Sequence, residues 1–204
     1  MNAEETALIL IGFQNDYFAP DGILHHVIDG PAQLVANTVD LVERLSPSPV
    51  LIIDTPVIFT AGYGELVEPV GILKMVKEAG AFRAGTQGAE TIAEIRQFSE
   101  RVVEVPGKRG LNAFSNTDLD SLLKKRGIKN VVLAGVATPI CVESTGRSAY
   151  ERGYRVFILS DCTSGRTKFE QSFYCEKIFP LYAEVIDHTR LLSHLEETHD
   201  ADRQ

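Results

Sequence analysis

Apolar residues fall in six compact runs along the chain: "ALILIG" (7–12), a run inside "PVLIIDTPVIFT" (49–60), "RVVEVP" (101–106), "NVVLAGVA" (130–137), "RVFILS" (155–160) and "AEVIDH" (183–188). Each has the length of a strand, and little polar alternation interrupts them. Continuity of this kind marks strands buried on both faces, as in a parallel sheet. Between the runs, apolar spacing of helical period predicts helices at about 31–45, 88–98, 117–126, 139–152, 168–178 and 189–197. Strand and helix therefore alternate, which predicts an α/β three-layer sandwich: a mostly parallel six-stranded sheet, helices on both faces, right-handed crossovers. The Gly-rich stretch 61–90, with the short helical segment "GILKMVKEAG", is long for a connection and is a candidate lid or oligomer contact. No repeat, low-complexity tract or linker divides the chain, so one domain over 1–204 is expected.

Composition narrows the function. With 204 residues, 44% of them apolar, the chain can bury one substantial core. Its net charge of −8 offers no basic face for a nucleic-acid backbone or an anionic membrane. The start, "MNAEETALILIGF", lacks a basic n-region, and no apolar stretch approaches the roughly 20 residues that span a bilayer, so a soluble, cytoplasmic protein is expected. Cys141, Cys162 and Cys175 are odd in number and form no CxxC pair, which argues against a disulfide framework or a zinc knuckle.

Ligands of open parallel sheets bind beyond the carboxyl ends of the strands. Gly12, Lys108 and Cys141 all follow such ends. In "GVATPICVESTGRSAYERG" (135–153) the strand gives way to a helix, with Thr138 suited to the N-cap, Pro139 to the first helical position, and Cys141 in the first turn. Unpaired amides and the helix dipole favour a thiolate there, and could hold a developing oxyanion. A small buried residue in a tight turn accounts for Cys141 about as well. Lys108, after the 101–106 run, could stabilise the thiolate or be an ordinary solvated lysine. Its "GK" is no phosphate-binding loop, since Val102 stands five residues before Gly107 and Arg109 follows the lysine.

Other reactive residue types read as structural. Asp161 suits capping of the loop after its strand. Cys162 lacks the Thr–Pro turn and follows an acid that would raise its pKa. Cys175 reads as a packed helix residue, and Asp118 and Asp120 as helix-start acids after Thr117. His25 and His26 are adjacent and diverge, while His188, His194 and His199 lie near the C-terminus; solvated or structural roles suit all five. Phe13, Tyr17 and Phe18 belong either to a pocket or to the core.

Taken together, "RVVEVPGKRGLNAFSNTDLDSLLKKRGIKNVVLAGVATPICVESTGRSAYERGYRVFILSDCTSGRT" resembles the isochorismatase-like cysteine hydrolases, the group of nicotinamidases and N-carbamoylsarcosine amidase. The matching positions are Lys108 with Asn112, Ala113 and Phe114, then Thr117 to Leu119, then Gly135, Thr138, Cys141 and Val142. "LILIGFQNDYF" resembles the family's first strand with its "QND", here Gln14, Asn15 and Asp16, and the likeness runs in order from about 7 to 190. The resemblance implies a Rossmann-like fold and a covalent mechanism in which Cys141 attacks an amide or related carbonyl and Lys108 supports the thiolate. It further implies a cis peptide at Val136–Ala137, with the amides of Ala137 and Cys141 as oxyanion hole, and a homodimer or higher homo-oligomer.

One family residue is missing: where an aspartate serves as acid and base, this chain has Gly12. Three expectations follow. Asp54 or Glu65, depending on the register of the second strand, replaces it; or Lys108 and the helix terminus suffice for an undemanding substrate; or the protein only binds ligands or partners. Gly12 is also expected to enlarge the pocket and leave Lys108 short of anionic neighbours, so that an acidic substrate group could fill in. An isochorismate-type vinyl ether hydrolase fits less well, because that chemistry needs the absent aspartate and not the thiol. The family's metal-binding D-x-H has no counterpart in "DTPVIFTAGYG", so no metal and no other cofactor is expected. The expected activity is hydrolysis of a small amide, carbamoyl or related C–N bond through a thioester.

Overall fold

The computed structural model describes residues 1–201, with side chains through residue 196. Six strands form one wholly parallel sheet in the order β3-β2-β1-β4-β5-β6: β1 Thr6–Ile11, β2 Leu51–Thr55, β3 Val102–Glu104, β4 Asn130–Val136, β5 Arg155–Ser164 and β6 Glu184–Ile186. Every residue of β1, β2 and β4 is buried, as their unbroken apolar runs require. The helices are α1 Asn15–Phe18, α2 Pro31–Leu45, α3 Gly71–Ala79, α4 Ala93–Arg96, α5 Leu119–Lys125, α6 Glu143–Glu151, α7 Lys168–Phe173 and α8 His188–Ala201.

Alternate residues of each strand feed two cores. Leu8, Leu10 and Ile52 face a cluster with Leu34, Leu41 and Val42 of α2 and Leu191 of α8. Ala7, Ile9, Ile11 and Ile53 face Leu119 and Leu123 of α5 and Ala149 of α6. Helices thus cover both faces, and the order of the strands reverses between β1 and β4, the place where open sheets leave a crevice at their carboxyl ends. β1 and β4 touch there without side-chain spacing: a Cβ on Gly135 would lie 2.0 Å from the Ile11 carbonyl oxygen.

Three predicted helices take different forms. The expected helix 88–98 shrinks to a 3-10 turn at Gln87–Ala89 and the single turn of α4. Its backbone is engaged elsewhere: Asn15 N donates to Glu90 O and Ile92 N to Phe13 O, tying the segment to the end of β1. The helix expected from 139 begins as a π turn, Thr138–Val142, closed by Val142 N donating to Ala137 O at 3.3 Å, before α6. The helix expected at 168–178 is α7 followed by a second π turn, Tyr174–Ile178.

Candidate active site

β2 ends at Thr55, so Asp54 stands at the carboxyl edge of the sheet, paired with Leu10 of β1 and Glu104 of β3. Gly12 follows β1, and the chain after β3 carries Lys108 back toward β4 and the π turn. There Lys108 Nζ donates to Cys141 Sγ at 3.7 Å, with Lys108 fully buried and Cys141 5% exposed. Two contacts fasten this approach. The Ala113 amide donates to Thr145 Oγ1 on α6 at 3.1 Å, and the Asn112 side chain accepts from Phe114 N at 2.8 Å. Gly107, at φ +103°, lets the loop pass Asn116, whose carbonyl oxygen would stand 2.7 Å from a Cβ. Lysine and thiol therefore meet because their two loops are bolted to the same helix.

The Val136–Ala137 peptide is cis. Thr138 does not cap the helix, contrary to the reading of the turn: Ala137 occupies the cap position, and the Thr138 hydroxyl donates to Gln171 Oε1 of α7 at 2.6 Å. The extra residue of the π turn moves the helix start back by one, leaving Thr138 inside it. Cys141 still lies in the first turn.

"QND" acts as a fastening. Gln14 Nε2 donates to Val57 O and Ala89 O at 2.8 and 2.7 Å, while its Oε1 accepts from Val57 N at 2.8 Å. Asn15 Nδ2 donates to Gln87 O, and Asp16 accepts from Phe82 N at 2.6 Å. Three consecutive side chains so hold the segments after β2 and after α3 over the thiol. The roof they secure is α3 with its flanks. Ile72, Leu73 and Val76 of α3 line a cavity of about 20 Å³ with Val57, Phe59, Phe82, Leu111, Tyr17 and Cys141.

Gly12 does not open this cavity, contrary to expectation. It takes φ +71°, and a Cβ there would meet Val136 O at 3.1 Å and Tyr17 Cε2 at 3.3 Å. The Tyr17 ring closes the space a carboxylate would need. Burial, and then the charges of Cys141 and Asp16, push the Tyr17 hydroxyl well above its ordinary value, so it stays a neutral donor. Tyr17 belongs to both pocket and core; Phe13 is core, stacked on Phe18 at 5.3 Å.

Of the two substitute acids, Glu65 drops out. It accepts from Thr60 N and Oγ1 and pairs with Arg109 at 3.1 Å; backbone amides at Glu65 and Thr60 hold its carboxyl down at about 2. Asp54 differs. Its Oδ2 accepts from Thr91 Oγ1 at 2.8 Å, and burial pushes its carboxyl up to about 7, with the Glu104 charge adding to the rise and Lys108 opposing it.

The remaining candidates have structural duties. Asp161 caps the start of α8, not the loop after its own strand: it accepts from His188 N at 3.0 Å and faces His188 Nδ1 at 2.5 Å. His188 also lies 3.5 Å from Asp40. Burial and the Asp161 charge push the Cys162 thiol far up, and burial takes Cys175 to about 11. Asp120 accepts from Lys124 and Tyr154, whereas Asp118, at the α5 cap position, makes no side-chain capping bond. His25 Nδ1 lies 3.2 Å from Tyr17 O, His194 O accepts from the N-terminal amine at 3.1 Å, and the side chain of His199 lies outside the described residues. The donor set for a D-x-H metal does not fit, since apolar Pro56, Val57 and Phe59 follow β2.

Known proteins resemble this chain in sequence and fold. The ureidoacrylate amidohydrolase RutB of Variovorax paradoxus is 32% identical over 178 residues, spanning 80% of this chain and 70% of that protein. Nicotinamidase 3 of Arabidopsis thaliana is 30% identical over 164 residues, 80% and 75% of the two chains. A crystal structure of a cysteine hydrolase from Pseudomonas syringae pv. phaseolicola superposes with a TM-score of 0.84 at 23% identity, covering 97% of this chain and 95% of that one. The isochorismatase domain model matches residues 6–190, and the chain belongs to that family.

Proposed function

We propose that the protein is a cysteine-dependent hydrolase of a small amide, carbamoyl or ureido C–N bond, acting through a thioester on Cys141. The observation that carries this reading is the Lys108 Nζ–Cys141 Sγ contact of 3.7 Å, sealed from water at the carboxyl edge of the sheet. Names of the relatives, an amidohydrolase and a nicotinamidase, support the bond class. Apolar walls around the thiol favour a small, largely apolar acyl group.

With no carboxylate at residue 12, Lys108 can carry the proton through the whole cycle. The thiolate adds to the carbonyl carbon, whose electron pair moves onto oxygen facing the amides of Ala137 and Cys141. The Lys108 ammonium passes a proton to the departing nitrogen, the C–N bond breaks, and an amine leaves behind an acyl thioester and a neutral lysine. Water then adds to the thioester carbonyl and gives its proton to Lys108 Nζ. The C–S bond breaks, the acid departs, and the ammonium–thiolate pair is restored. A cavity of about 20 Å³ holds one water at most, so substrate enters only when α3 lifts.

A panel of small primary amides, carbamoyl compounds and ureido acids tests the reading, with ammonia release as the signal. Turnover that Cys141→Ser abolishes, together with an acyl adduct on Cys141 by mass spectrometry, is expected. Turnover that survives the substitution refutes it. Gly12 favours a second reading, a ligand-binding member of the family without turnover; tight binding that leaves Cys141 unmodified and unnecessary would establish it.

A further inference from the structure

Among the described residues, Asp54 Oδ1 is the one buried side-chain oxygen or nitrogen without a hydrogen-bond partner. A carboxyl only 4% exposed normally satisfies both oxygens, and here just Oδ2 is engaged, by Thr91. Its surroundings lead to the thiol. Val105 N donates to the Asp54 carbonyl at 2.8 Å, three residues before Lys108, so the lysine's loop starts from Asp54's own strand end. The charges that reach Asp54 come from Lys108 and from Glu104, its register partner on β3; Leu10, its partner on β1, brings none.

Resting on the hydrolase reading above, we propose that Asp54 is a positioning residue that supplies, from β2, the negative charge the family's aspartate would supply after β1. Ionised, it favours the Lys108 ammonium by charge acting through space, and through Lys108 the thiolate of Cys141. Neither Asp54 nor Lys108 lines the Cys141 cavity, but Lys108 reaches the sulfur at 3.7 Å, so the part of Asp54 is to set the charge on Lys108. Loss of its proton to solvent leaves the electron pair on the carboxylate and alters no bond at sulfur. Because burial lifts the carboxyl to about 7, this charge switches on in the neutral range. Asp54 thereby gives the thiol a pH response of its own.

The test is the rate of Cys141 alkylation by iodoacetamide from about pH 5 to about pH 9, read by intact mass and peptide mapping. Wild type, Asp54→Asn, Lys108→Ala and the double variant are compared. Asn preserves the shape and the Thr91 contact, and Asp54→Ser is the second variant should the first not fold. The wild-type rate is expected to step upward near neutral pH. Asp54→Asn should lack that step and be slower by roughly tenfold at about pH 8, the worth of one pKa unit of lost charge support. In the Lys108→Ala background the Asp54 substitution should change nothing further. Superimposed wild-type and Asp54→Asn profiles overturn the assignment while leaving the hydrolase reading intact, as does an equal loss in the Lys108→Ala background. A wild-type rate that rises with pH no differently from that of Lys108→Ala overturns both, since the lysine would then give the thiol no support.

Discussion

Asp54 also makes a prediction about folding that is independent of catalysis. Its carboxyl moves from 3.8 to about 7 on burial, a change of about 3 units, or about 4 kcal/mol at 1.36 kcal/mol each. For an acid whose folded value is raised, the stability it contributes is complete below the unfolded value and is lost as pH rises through the folded one. The loss therefore begins near pH 4 and finishes just above pH 7, and about 2 kcal/mol of it falls between about pH 5.5 and about pH 8. Asp54→Asn removes the ionisation and keeps an acceptor for Thr91. Urea unfolding of both proteins at those two pH values should show the wild type losing about 2 kcal/mol more than the variant. Equal losses would mean that Asp54 does not titrate in this range, and that its free oxygen has a partner that keeps it ionised.

Placing at residue 12 the aspartate that the family resemblance calls for should not add activity. Gly12→Asp places a side chain at φ +71° against Val136 O and the Tyr17 ring, so thermal melts should show a loss of about 2 kcal/mol with no gain in turnover; a gain would show that the site has room after all. Gln14→Ala strips partners from the Val57 amide and from two buried carbonyls, and chemical denaturation should report a loss of roughly 3 kcal/mol; a change below about 1 kcal/mol would dismiss the fastening role. Light scattering should find a homodimer or larger assembly, with Val67 and Val70 of the α3 flank and Phe169 of α7 as the exposed apolar side chains to substitute; a monomer at high concentration refutes it.

The sheet was legible because its strands are buried on both faces, and such strands write themselves as unbroken apolar runs. α2 was legible for the opposite reason: one face meets the core and the other meets water, and its 15 residues begin at Pro31. What resisted reading was backbone committed to distant partners. Residues 87–92 have helical spacing, yet Phe13, Asn15 and Gln14 claim their amides and carbonyls, and no local pattern records that claim. The site divides the same way. Strand-end position brought Lys108 and Cys141 into view, and family likeness gave them roles. The closure of Gly12's space by Tyr17 depends on a ring folding back from the next turn, and the unpartnered oxygen of Asp54 on which neighbours fail to reach it. Both are facts of three dimensions, although the sequence already narrows the substitute acid to Asp54 or Glu65, and locating β2 decides between them.

The roof over Cys141 bears on how long the protein stays usable. A thiolate paired with an ammonium is the form that peroxides and disulfides attack, and in open water it would be the first group spent. Under α3, with room for one water at most, the sulfur is covered against such reagents as it is against substrate. Gly71 and Gly80, both in left-handed conformation, stand at the two ends of α3, where glycine takes that conformation without strain. The same cover that limits entry to the thiol thus also shields it, and a looser roof would give up protection for access.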